Sequence, residues 1–295
     1  MTLFTLSNDQ LELSVSSAGG AIEGFYGRNG GASVALLRPG KGSGSAIQSS
    51  CFPLVPFANR VNGNRFSFEG KTYRLTPNTE WDTHYLHGDG WLNEWQCLEH
   101  TQHELLLEYQ HSQGIYRYVA RQHFRLRDNE LDVTLSVTNQ GEDALPFGLG
   151  WHPYFPLTKH TTVQAKSGGY WLEEAHWLAG EHQTTLPADI DFNQPSPVPR
   201  RWVNNGFSGW DGNATIHWPE HQWSLTMETE PACPCYFIFV SDPAFDQGYD
   251  FDFFCLEPMS HAANDHNVQG AGGLKRLMTN DTLTQTMRLT SRPQR

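Results

Sequence analysis

Positive charge is scarce in this chain. Lys and Arg number 20 against 32 Asp and Glu, a formal net charge of -12 over 295 residues. Such an excess of acid opposes a phosphate backbone or an anionic lipid surface, so neither nucleic acid nor membrane is an expected partner. Long apolar runs are missing as well. Even Cys233 to Val240 is broken by Pro234 and followed by Ser241-Asp242-Pro243, far short of the about 20 apolar residues that cross a bilayer as a helix. The five cysteines are an odd number, and residues 1–10 contain no basic region leading into an apolar run. A reduced cytoplasm is therefore the expected setting.

Cofactor signatures are also lacking. Cys233-Pro234-Cys235 is too close-set for the usual zinc spacing, and His84 and His87 stand three apart without a His-x-His or Cys-x-x-Cys companion; no metal site is expected. The glycine- and serine-rich residues 39–45 have neither the Gly-Lys-Ser/Thr ending nor the preceding strand of a phosphate loop, and no dinucleotide fingerprint occurs. No cofactor is expected. Long amphipathic helices, repeats and domain boundaries are absent too, so residues 1–295 read as one unit.

What the chain has is aromatics and alternation. Aromatic residues make up 13% against 18% charged, which suits a β-rich protein with aromatic-lined clefts. Leu11, Leu13 and Val15 alternate with polar residues after the Asn8-Asp9 turn signal, and Phe66/Phe68 and Tyr73/Leu75 flank Glu69-Gly70-Lys71. Both read as hairpins. Further strands are expected at 104–109, 116–126, 130–137, 214–218, 223–229, 235–240, 249–256 and 283–289, with 158–200 an irregular excursion. The class is an all-β sandwich.

Four stretches carry chemistry. In Phe147–Leu157, Pro153 biases His152 toward extended backbone, and Trp151, Tyr154 and Phe155 read as an aromatic wall around it. A buried structural histidine and a general acid or base both fit that segment. Glu257 likewise precedes a proline after an apolar strand, which places each residue at a strand end; desolvation there raises a carboxylate's proton affinity, while a structural pairing with Arg is the other reading. Arg60 lies among apolar neighbours and needs a carboxylate or a ligand oxygen. Residues 78–95 mix polar and aromatic residues without periodicity, as binding loops do.

Taken in order, Ala58-Asn59-Arg60, Leu86-His87-Gly88, Trp151-His152-Pro153-Tyr154-Phe155 and Leu256-Glu257-Pro258 resemble the aldose 1-epimerase (galactose mutarotase) family, from about Phe52 to Asn267. The resemblance implies a galactose mutarotase-like β-sandwich, or supersandwich, with a sugar in a cleft on a broad antiparallel sheet and no cofactor. It also implies roles. Glu257 would be the base on the anomeric hydroxyl, His152 the acid to the ring oxygen, and Arg60 and His87 sugar-binding groups. The family's binding aspartate precedes a phenylalanine in the segment matching Val203–Phe207, where this chain has Asn204; Asn204 itself or Asp211 would take its place. Two other readings stand beside this one: a relative acting on an anionic sugar through Arg200-Arg201, and a carbohydrate-binding protein without turnover. Glycoside hydrolysis normally wants two positioned carboxyl groups, and only Glu257 is singled out.

Overall fold

The structure is a computed structural model that describes residues 1–268 and 273–294. Period-two alternation yields strands joined by loops and short 3-10 turns, with no α-helix among the described residues. Two large antiparallel sheets result. The first has eleven strands, in the order Leu3–Ser7, Leu11–Ser16, Ile22–Asn29, Cys51–Leu54, Gly150–Pro156, Phe253–Met259, Cys235–Val240, Val203–Ser208, Gly169–Glu173 and Ala179–Gln183, with Ala32–Ala35 added beside Ile22–Asn29. The second has nine and includes Glu104–His111, Tyr118–Arg127, Glu130–Asn139, Thr282–Pro293, Trp223–Glu230 and Asn213–Trp218.

The inner faces of the sheets meet in one apolar cluster that runs from Leu6 to Leu289. Leu131, Val133, Leu135 and Val137 are fully buried in it, while Thr134 and Ser136 between them, and Thr138 after them, are half-buried. Polar ties cross it where a buried group needs a partner: Gln122 Nε2 donates to the Gly20 carbonyl at 2.9 Å, and the Tyr236 hydroxyl to that of Ala165 at 3.0 Å. Strands Gly150–Pro156 and Phe253–Met259 lie mid-sheet and are buried almost throughout. On the face that carries His152, the loop of residues 55–95 brings the His87 ring to 5.5 Å from that imidazole.

Two expectations need correction. Residues 158–200 are not merely irregular, since Gly169–Glu173 and Ala179–Gln183 form the far edge of the large sheet, and Thr162–Ala165 and Ser196–Pro197 join the other. These strands are too short for alternation to show. The strand expected at 249–256 begins only at Phe253 and continues through Pro258 to Met259. Phe251 has a left-handed φ of 50°, which breaks an extended run before it starts.

Candidate active site

His152 and Glu257 are brought together by strand register. Gly150 pairs with Met259 and Tyr154 with Cys255, so the residues midway, His152 and Glu257, face each other on one side of the sheet. Pro153 and Pro258 lack N–H donors and open the ladder at this point. The two ionisable groups therefore sit inside strands, not at strand ends as their sequence context suggested; a proline favours extended backbone, and a strand interior supplies it too. His152 Nε2 lies 3.2 Å from Glu257 Oε1.

The expected wall of Trp151, Tyr154 and Phe155 does not form. Alternation sends Trp151 and Phe155 to the core side of the sheet, where both are almost fully buried. Tyr154 stays beside His152, and Phe52 of the neighbouring strand joins it there. The imidazole packs against both, 4.6 Å from the Phe52 ring and 4.7 Å from that of Tyr154, and those two rings lie 6.2 Å from each other. Trp91 packs on Phe52 at 5.3 Å, and the Arg38 guanidinium lies over the Tyr154 ring at 3.7 Å. A ring packed against two aromatic neighbours has little freedom to turn.

The loop after Leu54 adds Arg60 and His87. Arg60 Nε and a terminal guanidinium nitrogen both lie 2.8 Å from Asp82 Oδ2, and Asp82 Oδ1 accepts the His84 backbone N–H at 2.8 Å. Asp82 is thus the carboxylate that Arg60 required. His87 accepts the Asn59 N–H on Nδ1 at 3.0 Å, which leaves its proton on Nε2 and makes that atom a donor. Possible ligand atoms of His87, His152 and Glu257 lie within 4.8 Å of one another. A cation would fit that spacing, but with Nδ1 occupied and Nε2 protonated, His87 cannot serve as its ligand.

Gly88 shows how tightly this loop is seated. Its φ is +69°, and a Cβ there would meet the Val55 carbonyl oxygen at 2.1 Å. We expect Gly88→Ala to lower stability by about 2–4 kcal/mol, from backbone strain plus the clash. Thermal unfolding measures it, and an unchanged midpoint would refute the seating.

Asn204 joins the group and Asp211 does not. Asn204 pairs with Phe239, which pairs with Cys255 two residues before Glu257, so it stands on the same face, two strands away. Asp211 lies exposed past the opposite end of that strand, roughly 13 Å of extended chain beyond Asn204 by Ser208 alone, and its Oδ1 accepts the Asn213 N–H at 3.0 Å. Three buried polar atoms here, His152 Nδ1, Asn204 Nδ2 and Glu257 Oε2, have no hydrogen-bond partner. Buried polar groups are normally paired.

Burial sets the protonation of this group. It pushes the Glu257 carboxyl up to about 8, with Arg60 opposing in part. It drives the His152 imidazole down to about 3, helped by the positive charges of Arg38 and Arg60. His87 is held well below its usual value by burial and then by His152 and Arg60. At neutral pH the pair thus shares one proton, held on the carboxyl and facing the free Nε2 of His152.

A sheet-borne carboxyl and imidazole with one proton between them suit chemistry that moves two protons on one small molecule. The family model for aldose 1-epimerase matches residues 2–290. The chain belongs to the aldose 1-epimerase family. Uncharacterized protein YphB of Escherichia coli K12 is 58% identical over 289 residues, 98% of each chain. The crystal structure of an Escherichia coli K12 protein provisionally described as an aldose 1-epimerase has a TM-score of 0.96 at 58% identity, covering 99% of both chains. A galactose mutarotase-like protein of Clostridium acetobutylicum gives 0.83 at 17% identity, over 98% of this chain and 94% of that one; at that distance the fold is what is shared. The galactose mutarotase-like all-β fold implied by the motifs is the fold found. Within this aldose 1-epimerase fold, sequence reading had missed Phe52 and Asp82. Asp82 was within reach, since Arg60 called for a carboxylate and the 78–95 loop carries one; Phe52 depends on strand pairing and left no signal.

Proposed function

We propose that this member of the aldose 1-epimerase family interconverts the α and β anomers of a free, neutral aldose by opening and closing the pyranose ring. The observation that carries the reading is the 3.2 Å contact between His152 Nε2 and Glu257 Oε1. Ring opening removes a proton from the C1 hydroxyl and delivers one to the ring oxygen, and closure on the other face reverses both transfers. A pair holding one proton has what this needs. At neutral pH the proton rests on Glu257, because burial penalises separated charges. Transfer across the contact creates carboxylate and imidazolium, with Glu257 then the base at the C1 hydroxyl and His152 the acid at the ring oxygen. Arg60 stabilises the carboxylate, and His87 Nε2–H and Asn204 bind hydroxyls.

The anionic-sugar reading finds no support in Arg200 and Arg201. Arg200 donates to the carbonyls of Phe251 and Thr158, both at 3.1 Å, and Arg201 is paired with Asp189 at 2.5 Å. Arg60 is already held by Asp82. Turnover-free binding would leave the acid and base without a task. All five cysteines are free thiols, in keeping with a reducing cytoplasm, and no described helix is long and apolar enough to cross a membrane.

Anomer exchange followed by NMR across neutral and phosphorylated aldoses tests the reading; exchange of phosphorylated sugars alone would overturn it. The pH dependence is a sharper check. Glu257 is raised to about 8, so the pair keeps its proton through neutrality and loses it as pH rises through about 8. His152 is lowered to about 3, so a second proton is gained only as pH falls toward that value. Between these limits kcat/KM, corrected for spontaneous exchange, should be nearly flat. An alkaline limb already complete at pH 6 would contradict the assignment.

A further inference from the structure

Beside Arg60 and Asn204 stands an aromatic shelf that the proposed reaction does not use. Trp177 lies 5.3 Å from the Arg60 guanidinium carbon and 5.5 Å from Phe245. Phe245 is 5.1 Å from Trp202, which is 5.6 Å from Phe239. Phe239 in turn is the register partner of Asn204. The shelf therefore runs from Arg60 back to the strand pair that carries Asn204.

It is also built to be presented. Phe245 is 49% exposed, and Trp177 and Trp202 are only half-buried, although large aromatic side chains normally go to cores or to binding surfaces. Phe245 is not loose, because Asp242 Oδ1 accepts the backbone N–H groups of Ala244 and Phe245 at 3.0 and 2.9 Å. Trp177 is held at a left-handed φ of 60° directly after His176 at the same value, backbone that costs on the order of 1–3 kcal/mol per residue and persists only where the surrounding structure holds it. The Trp202 indole N–H is taken by Glu173 Oε2 at 2.9 Å, which fixes the ring beside Phe239 and Phe245.

We infer that this shelf binds a second pyranose ring, so that the preferred substrate is a reducing disaccharide or longer oligosaccharide. The flat C–H face of a neutral pyranose matches an exposed aromatic surface, and the Arg60 guanidinium beside it is already neutralised by Asp82. The second ring must be linked through a hydroxyl other than that on C1, because the reacting carbon needs its hydroxyl free. This inference rests on the proposed anomer exchange and specifies its substrate class.

The test compares kcat/KM for glucose with those for maltose, cellobiose and lactose, by NMR, in the native protein and in Phe245→Ala, Phe245→Leu and Phe245→Tyr. Native protein should prefer at least one disaccharide. Phe245→Ala and Phe245→Leu should each reduce that disaccharide's kcat/KM about fivefold through loss of the flat face, leave glucose unchanged, and be rescued by Phe245→Tyr. Equal rates on all sugars, or equal losses on glucose and disaccharide, would overturn the shelf. If no sugar is turned over, the reaction assignment fails and titration of the same disaccharides by tryptophan fluorescence decides the shelf alone: binding weakened by Phe245→Ala supports it, and absence of binding refutes it.

Discussion

Glu257→Gln should slow anomer exchange by about 100-fold or more while sugar affinity changes little, since the amide keeps the shape and hydrogen bonds of the carboxyl but cannot exchange a proton. His152→Asn should fall by a similar factor. The double variant should be much less impaired than the product of the two, because both groups serve one proton exchange and losing either disables the pair. NMR of the exchanging C1 protons gives the rate, and sugar titration gives the affinity. Native rates in a folded Glu257→Gln protein free of contaminating activity would remove Glu257 from the mechanism.

The second large effect falls on stability. Asp82→Ala leaves the Arg60 guanidinium, only 11% exposed, without the carboxylate that holds it, and breaking a buried ion pair from one side costs about 3–5 kcal/mol. The unfolding midpoint should drop by on the order of 10 °C. Replacing both partners, Arg60→Met with Asp82→Ala, should recover part of the loss, because no buried charge is then left alone. The same double variant should lose activity, since Arg60 no longer stabilises the Glu257 carboxylate. If the double variant is less stable than Asp82→Ala, the loss comes from packing and not from an orphaned charge.

Local physics made the strands and the reactive residue types legible in the sequence. Leu131 to Val137 alternate because one face of their strand meets the core, and that pattern lies within a few neighbouring positions. The His152-Pro153 and Glu257-Pro258 pairs advertised extended backbone for the same local reason. Four short motifs in order then implied the family and its fold. What tertiary structure decided was every relation between distant segments. Register across the sheet set His152 opposite Glu257, and alternation turned Trp151 and Phe155 away while the pairing of Cys51–Leu54 brought Phe52 in. Asn204 and Asp211 were interchangeable on paper because they are seven residues apart; strand direction separated them. Arg60 announced a need for a carboxylate, but only the folded loop chose Asp82. The shifted affinities of Glu257 and His152 for their shared proton arise from burial by two sheets and a loop, a property of the assembled surroundings that no short stretch of chain contains.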